Sequence, residues 1–130
     1  MTLVTMKKRA DFLRTKEGRR YGLFGLAIEA RRSPDGAIGP GAARVGFTAT
    51  RRLGGAVERN RAKRRLRALA QHVLTLSGRE GYDYVLIARP GTLSRRFGEL
   101  ENDLNTAIAA VHAAFDRDNR INSDDAQFTG

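Results

Sequence analysis

The stretch from Arg44 to Arg67, RVGFTATRRLGGAVERNRAKRRLR, limits what this chain can fold into more than any other. Val45, Phe47 and Ala49 alternate with Gly46, Thr48 and Thr50, the period of a strand with one face buried. Arg51 and Arg52 end that pattern, and Gly54-Gly55 lets the backbone turn without a side-chain penalty. From Ala56 the spacing becomes helical. Ala62, Leu66, Leu69, Ala70 and Val73 fall on one stripe, which must face a core. A strand that feeds a long amphipathic helix through a glycine pair needs a sheet for the helix to pack on. The chain is therefore expected to be of mixed α/β class.

The polar side of this helix carries the functional signal. Asn60, Arg61, Lys63, Arg64, Arg65 and Arg67 cover most of the surface away from the stripe, with Arg59 at its margin. The whole stretch holds nine Lys and Arg residues and one acid, Glu58. Solvated helices ordinarily interleave acids and bases at i,i+4. Here the cations have almost nothing to pair with inside the helix, and a polyanion would supply the missing counter-charge. Arginine outnumbers lysine, which suits phosphate, because the guanidinium fork holds two oxygens at once. The plainer reading is a solubilising basic face.

Composition agrees. A chain of 130 residues is one domain, and its net charge of +10 points to an anionic partner, nucleic acid ahead of a membrane surface. No run approaches the ~20 apolar residues of a membrane span. No apolar signal segment follows the charged N-terminus. The chain has no cysteine, so disulfides and thiolate metal sites are excluded. These features fit a cytoplasmic protein.

Along the chain, Lys7 to Lys16 reads as a short basic helix around Phe12 and Leu13, with Asp11 as a local cap. Tyr21 to Ala30 reads as a strand, weakened by Gly22 and Gly25; a split there would add one strand. Arg32 to Ala42 has the prolines and glycines of a mobile loop and is expected to join two strands as an antiparallel pair. The basic helix should continue to about Leu76. Tyr82 to Arg89 reads as a strand covered on both faces, ended by Pro90-Gly91. A last helix starts between Ser94 and Phe97 and buries Phe97, Leu100, Leu104, Ile108, Val111 and Phe115. Residues 1–116 form the domain. Residues 117–130 are polar and expected to be disordered. The predicted order is α-β-β-α-β-α: a two-layer sandwich with about four strands and the helices on one side.

In this stretch the chain resembles the protein component of bacterial ribonuclease P. The matching residues are Arg44-Val45-Gly46-Phe47, Arg51-Arg52-Leu53-Gly54, Ala56-Val57, then Arg59-Asn60-Arg61 and Lys63-Arg64-Arg65-Leu66-Arg67. The arginine–asparagine–arginine centre is highly specific at this spacing, and the resemblance covers about Lys7 to Phe115. Gly55 stands where the family often has asparagine, and Lys16 where it often has a second aromatic. The resemblance implies a left-handed β-α-β crossover. It also implies a catalytic RNA that removes the 5′ leader of precursor tRNA with Mg²⁺, and a protein that holds both RNAs. On that reading Arg59, Asn60, Arg61, Lys63, Arg64 and Arg67 bind the catalytic RNA. Phe12, Gly46, Thr48, Thr50, Arg51 and Arg52 bind the precursor tRNA leader, with Phe12 stacking on a base.

Catalytic chemistry is missing from the sequence itself. His72 and His112 lack partners at metal-ligand spacing and suit surface or packing roles. No phosphate-cradling loop, HExxH or nucleophile elbow occurs. Glu99, Glu101 and Asp103 share one helix, whereas a metal-dependent nuclease gathers carboxylates from several elements. The expectation is a binder with no catalytic residue, no tightly held cofactor or metal, no membrane and no obligate protein partner. Alone it should be inactive. The alternative is a ribosomal or other structural RNA-binding protein without a catalytic role.

Overall fold

The computed structural model describes the backbone of residues 1–129 and the side chains of residues 1–120. Five strands form one sheet: β1 (Thr2–Thr5), β2 (Arg19–Gly22), β3 (Leu26–Arg32), β4 (Ala42–Thr48) and β5 (Tyr82–Ala88). Helices α1 (Arg9–Thr15), α2 (Ala56–Ser77), α3 (Pro90–Ser94) and α4 (Phe97–Thr129) pack around it, and a 3-10 turn spans Arg51–Leu53. The strand order is β1-β4-β5-β3-β2. β4 runs parallel to both β1 and β5, while β3 is antiparallel to β5 and β2.

The glycine pair works as its sequence suggests. Gly54 has φ +149°, and a Cβ there would lie 3.0 Å from the Glu58 side chain, so only glycine makes this turn comfortably. Helix α2 then lays Ala62, Leu66, Leu69, Ala70 and Val73, all buried, on the sheet. They meet Ile28, Ala30, Ala43, Val45, Tyr84 and Leu86 from the strands and Leu100, Leu104, Ile108 and Val111 from α4.

Four expectations need correction. The expected strand over Tyr21 to Ala30 is a hairpin, β2 and β3, bent at Leu23–Gly25. Loop 33–41 does not join a paired couple: β5 inserts between β3 and β4, and no local pattern could reveal that. β1 is an added edge strand on β4, too short to show a period. The helices also occupy both faces of the sheet. Helix α1 sits against Gly46, on the face opposite α2 and α4, anchored by buried Asp11 and Thr15 rather than by an apolar stripe. Being seven residues long, it covers only part of that face and leaves a cleft beside it.

Helix α4 runs on through the start of the stretch expected to be a polar tail, and Asp118 forms an ion pair with Arg19 of β2. The side chains of residues 121–130 lie outside the described residues.

Candidate nucleic-acid interface

The open face of the sheet is built in rows. Strand register sets Arg20, Glu29, Val85 and Gly46 side by side across β2, β3, β5 and β4. The next row is Gly22, Ala27, Ile87 and Thr48. Phe12 stands over Gly46 so closely that a Cβ there would come within 2.6 Å of its ring. Gly46 is thus buried, and its missing side chain leaves room for the aromatic ring. Phe12 itself is half-buried. It walls a cleft of about 600 Å³ together with Thr48 and Thr50.

Helix α1 contributes Arg9, Leu13 and the following Lys16 to this cleft; Lys63 reaches its far rim from α2. Val85 and Ile87 pave the floor. Phe47, expected wholly in the core, is half-buried, packs against the core and also lines the cleft. The Arg67 guanidinium lies 5.8 Å from its ring centroid, a cation–π distance. A second depression of about 690 Å³ continues past Thr50 and Ile87, where Arg51 and Arg52 meet Arg20 and Arg89. The structure therefore brings Phe12, Thr48 and Thr50 together. It sets Arg51 and Arg52 at the cleft's end rather than in it.

On α2, Asn60, Arg61, Arg64 and Arg67 are exposed, and Arg59 and Lys63 are half-buried. Among the described residues, none of these cations, nor Arg51 or Arg52, takes part in an ion pair. Arg65 is different. Its guanidinium donates to the carbonyl oxygens of Thr92 and Arg95 at 2.6 and 2.8 Å, tying α2 to α3. Arg44 is also removed from the basic face. It donates to both Asp83 oxygens at 2.7 and 2.6 Å and lies 3.3 Å from the Asp11 carboxylate. The hydrogen bond to Asp83 holds the Arg44 guanidinium above its ordinary pKa. This buried ion cluster clamps α1 to the sheet and so fixes one wall of the cleft.

Sequence reasoning missed Arg20, Glu29 and Arg89 as cleft residues. The only local signal was strand parity, which becomes usable once the β2–β3 register is known. The histidines are remote from the cleft. His72 is exposed and meets Phe97 edge-on; buried His112 shares a 2.7 Å hydrogen bond through Nε2 with the Tyr84 hydroxyl. Burial lowers the His112 pKa to about 4 and pushes that of Tyr84 up to about 12. Among the described residues no three His, Cys, Asp or Glu side chains group as a metal site, and no helix is long and apolar enough to cross a membrane.

Residues 2–112 match the Ribonuclease P family. The chain is 47% identical over 109 residues to the ribonuclease P protein component of Ruegeria pomeroyi, covering 83% of this chain and 86% of that one. It is 45% identical over 112 residues to that of Caulobacter vibrioides, covering 86% and 73%. Among solved structures, the Thermotoga maritima RNase P protein superposes with a TM-score of 0.64 at 25% identity, over 81% of this chain and 94% of that one. The Staphylococcus aureus RNase P protein gives 0.61 at 27%, over 82% and 95%.

Proposed function

The chain belongs to the bacterial ribonuclease P protein family and is an RNA-binding subunit of that tRNA-processing endoribonuclease; from that premise we propose a division of labour between its two surfaces. The exposed face of α2, with Arg59, Asn60, Arg61, Lys63, Arg64 and Arg67, grips the catalytic RNA. The cleft beside Phe12 receives the single-stranded 5′ leader of precursor tRNA. The observation that carries this reading is the set of α2 cations without an ion pair among the described residues, lying next to a cleft of mixed aromatic, hydroxyl and cationic lining. Unpaired guanidiniums suit phosphates, and a narrow groove with one aromatic wall suits an unstacked base.

The protein's own part is to bind and orient. Thr48 and Thr50 offer hydroxyl donors, Lys16 and Lys63 offer charge for the backbone, and Phe12 offers a stacking surface. Hydrolysis is assigned to the catalytic RNA with Mg²⁺, as the family resemblance implies. The holoenzyme is placed in the cytoplasm, where precursor tRNA is made.

The test is reconstitution. RNA-free protein with Mg²⁺ should leave precursor tRNA intact. Adding the catalytic RNA should restore 5′ processing, with leader-bearing tRNA bound more tightly than mature tRNA. Processing by the protein alone, abolished by a carboxylate substitution, would overturn the assignment.

A further inference from the structure

Phe24 is the most exposed aromatic residue among those described, at 63%, and it lines neither the cleft nor the arginine-rich depression. A lone exposed apolar side chain is ordinary. What distinguishes this one is how firmly its turn is built. Phe24 and Gly25 form the bend between β2 and β3, closed by the Leu23 N–H donating to the Leu26 carbonyl oxygen at 2.9 Å. Gly25 lies so close to α4 that a Cβ there would collide with the Asp103 carboxylate. A Cβ on Gly91 of α3 would lie 2.7 Å from the Phe24 ring. The hydroxyl of fully buried Thr92 donates to the Gly25 carbonyl oxygen. The bend is thus pressed onto α3 and α4, and the ring is backed by α3 on one side while its other side is bare. An aromatic side chain fixed in this way loses little further freedom when a partner covers it.

Its position and charge say what kind of partner. Arg65 ties α3 to α2, so Phe24 continues the surface of the basic helix. Arg89 and Arg96 flank α3, and neither takes part in an ion pair among the described residues. The neighbouring acids, Glu99 and Asp103, are both engaged by Arg95. Phe24 is also the one exposed large apolar side chain of the bend and α3. A single ring offers too little apolar surface for a protein interface but enough for one base, and the guanidiniums beside it suit the adjoining phosphates. We propose that Phe24 stacks on one unpaired base of the catalytic RNA, extending the RNA contact from the exposed face of α2 across α3 to the β2–β3 bend, with Arg96 on the backbone. This contact presupposes that α2 holds the catalytic RNA.

The experiment measures affinity of the full chain for the catalytic RNA across a salt series, and the ratio of precursor to mature tRNA affinity in the reconstituted holoenzyme. The natural protein is compared with Phe24→Ala, Phe24→Leu, Phe24→Trp and Arg96→Ala. Phe24→Ala should bind the catalytic RNA about tenfold more weakly, within the range for one stacked base. Phe24→Leu, apolar but without a π-face, should be similarly weak, and Phe24→Trp should bind at least as well as the natural protein. The three Phe24 variants should keep the natural salt slope, whereas Arg96→Ala should make it shallower by about 0.7–0.9. The precursor to mature ratio should stay unchanged throughout. Unaltered affinity in Phe24→Ala overturns the proposal, as does Phe24→Leu binding as tightly as Phe24→Trp, which would reduce the ring to an apolar filler. A Phe24→Ala variant that assembles normally but loses precursor preference also overturns it, by assigning the ring to the substrate. Undiminished RNA affinity in Arg61→Ala with Arg64→Ala would instead defeat the reading of α2 itself.

Discussion

Arg44 shows how far a residue's role can depart from its local context. In sequence it opens the basic stretch; in the fold it faces Asp83, 39 positions away, and Asp11. Both partners are largely buried, so removing one leaves an uncompensated charge. Arg44→Met should cost about 3–5 kcal/mol in denaturant unfolding, whereas Arg61→Met, on the exposed face, should shift stability by under about 0.5 kcal/mol. Equal effects would contradict the assignment of Arg44 to the scaffold. His112 makes a pH prediction. Its folded-state pKa is lowered to about 4 from 6.5, so between those values the unfolded chain binds a proton that the folded chain does not. Stability is therefore full above pH 6.5 and falls as pH drops toward 4. Between pH 7 and pH 5 the natural chain should lose about 2 kcal/mol more than His112→Gln. Parallel stability curves would exclude this linkage.

At the scale of elements, periodicity served wherever an element was long. Helix α2 begins at Ala56, the residue its spacing indicates, and ends at Ser77, one residue beyond the expected Leu76. Its stripe is the core's centre; Leu66, fully buried, should cost about 2–5 kcal/mol as Leu66→Ala by thermal or denaturant unfolding. Short elements escaped. β1 has four residues, and α3 has five around Pro90, held by the Thr92 hydroxyl that accepts from the Arg89 N–H and donates to the Gly25 carbonyl. Such pieces exist because of what they touch, and that is not encoded in their own period. The cleft was half legible for the same reason. Phe12, Thr48 and Thr50 could be grouped through strand parity and the family resemblance. Arg20 and Glu29 come into line only through the β2–β3–β5 register, which depends on β5 inserting itself between β3 and β4.

At the scale of the molecule, a net charge of +10 concentrated on one helix and one cleft makes binding a salt-sensitive event. Each phosphate neutralised steepens the fall of log K with log salt by about 0.7–0.9, and the five cations of the α2 face (Arg59, Arg61, Lys63, Arg64 and Arg67) would give a slope of roughly −3.5 to −4.5 if all engage. A titration of the structured RNA across a salt series that came out flat would remove the polyanion reading. Lys63 sits at the rim where α2 and the cleft meet, so the two surfaces adjoin and share that side chain while otherwise drawing on different ones. Their independence is the central claim, and one paired measurement tests it most directly: affinity for the catalytic RNA and the ratio of precursor to mature tRNA affinity, both read in two double variants. Arg61→Ala with Arg64→Ala should weaken assembly, with activity recovered at high protein concentration. Phe12→Ala with Thr48→Val should assemble nearly as the natural protein does and lose about 1–3 kcal/mol of precursor preference. If the Phe12/Thr48 variant lost affinity for the catalytic RNA as severely as the arginine variant while still discriminating precursor from mature tRNA, the two-surface account would be contradicted.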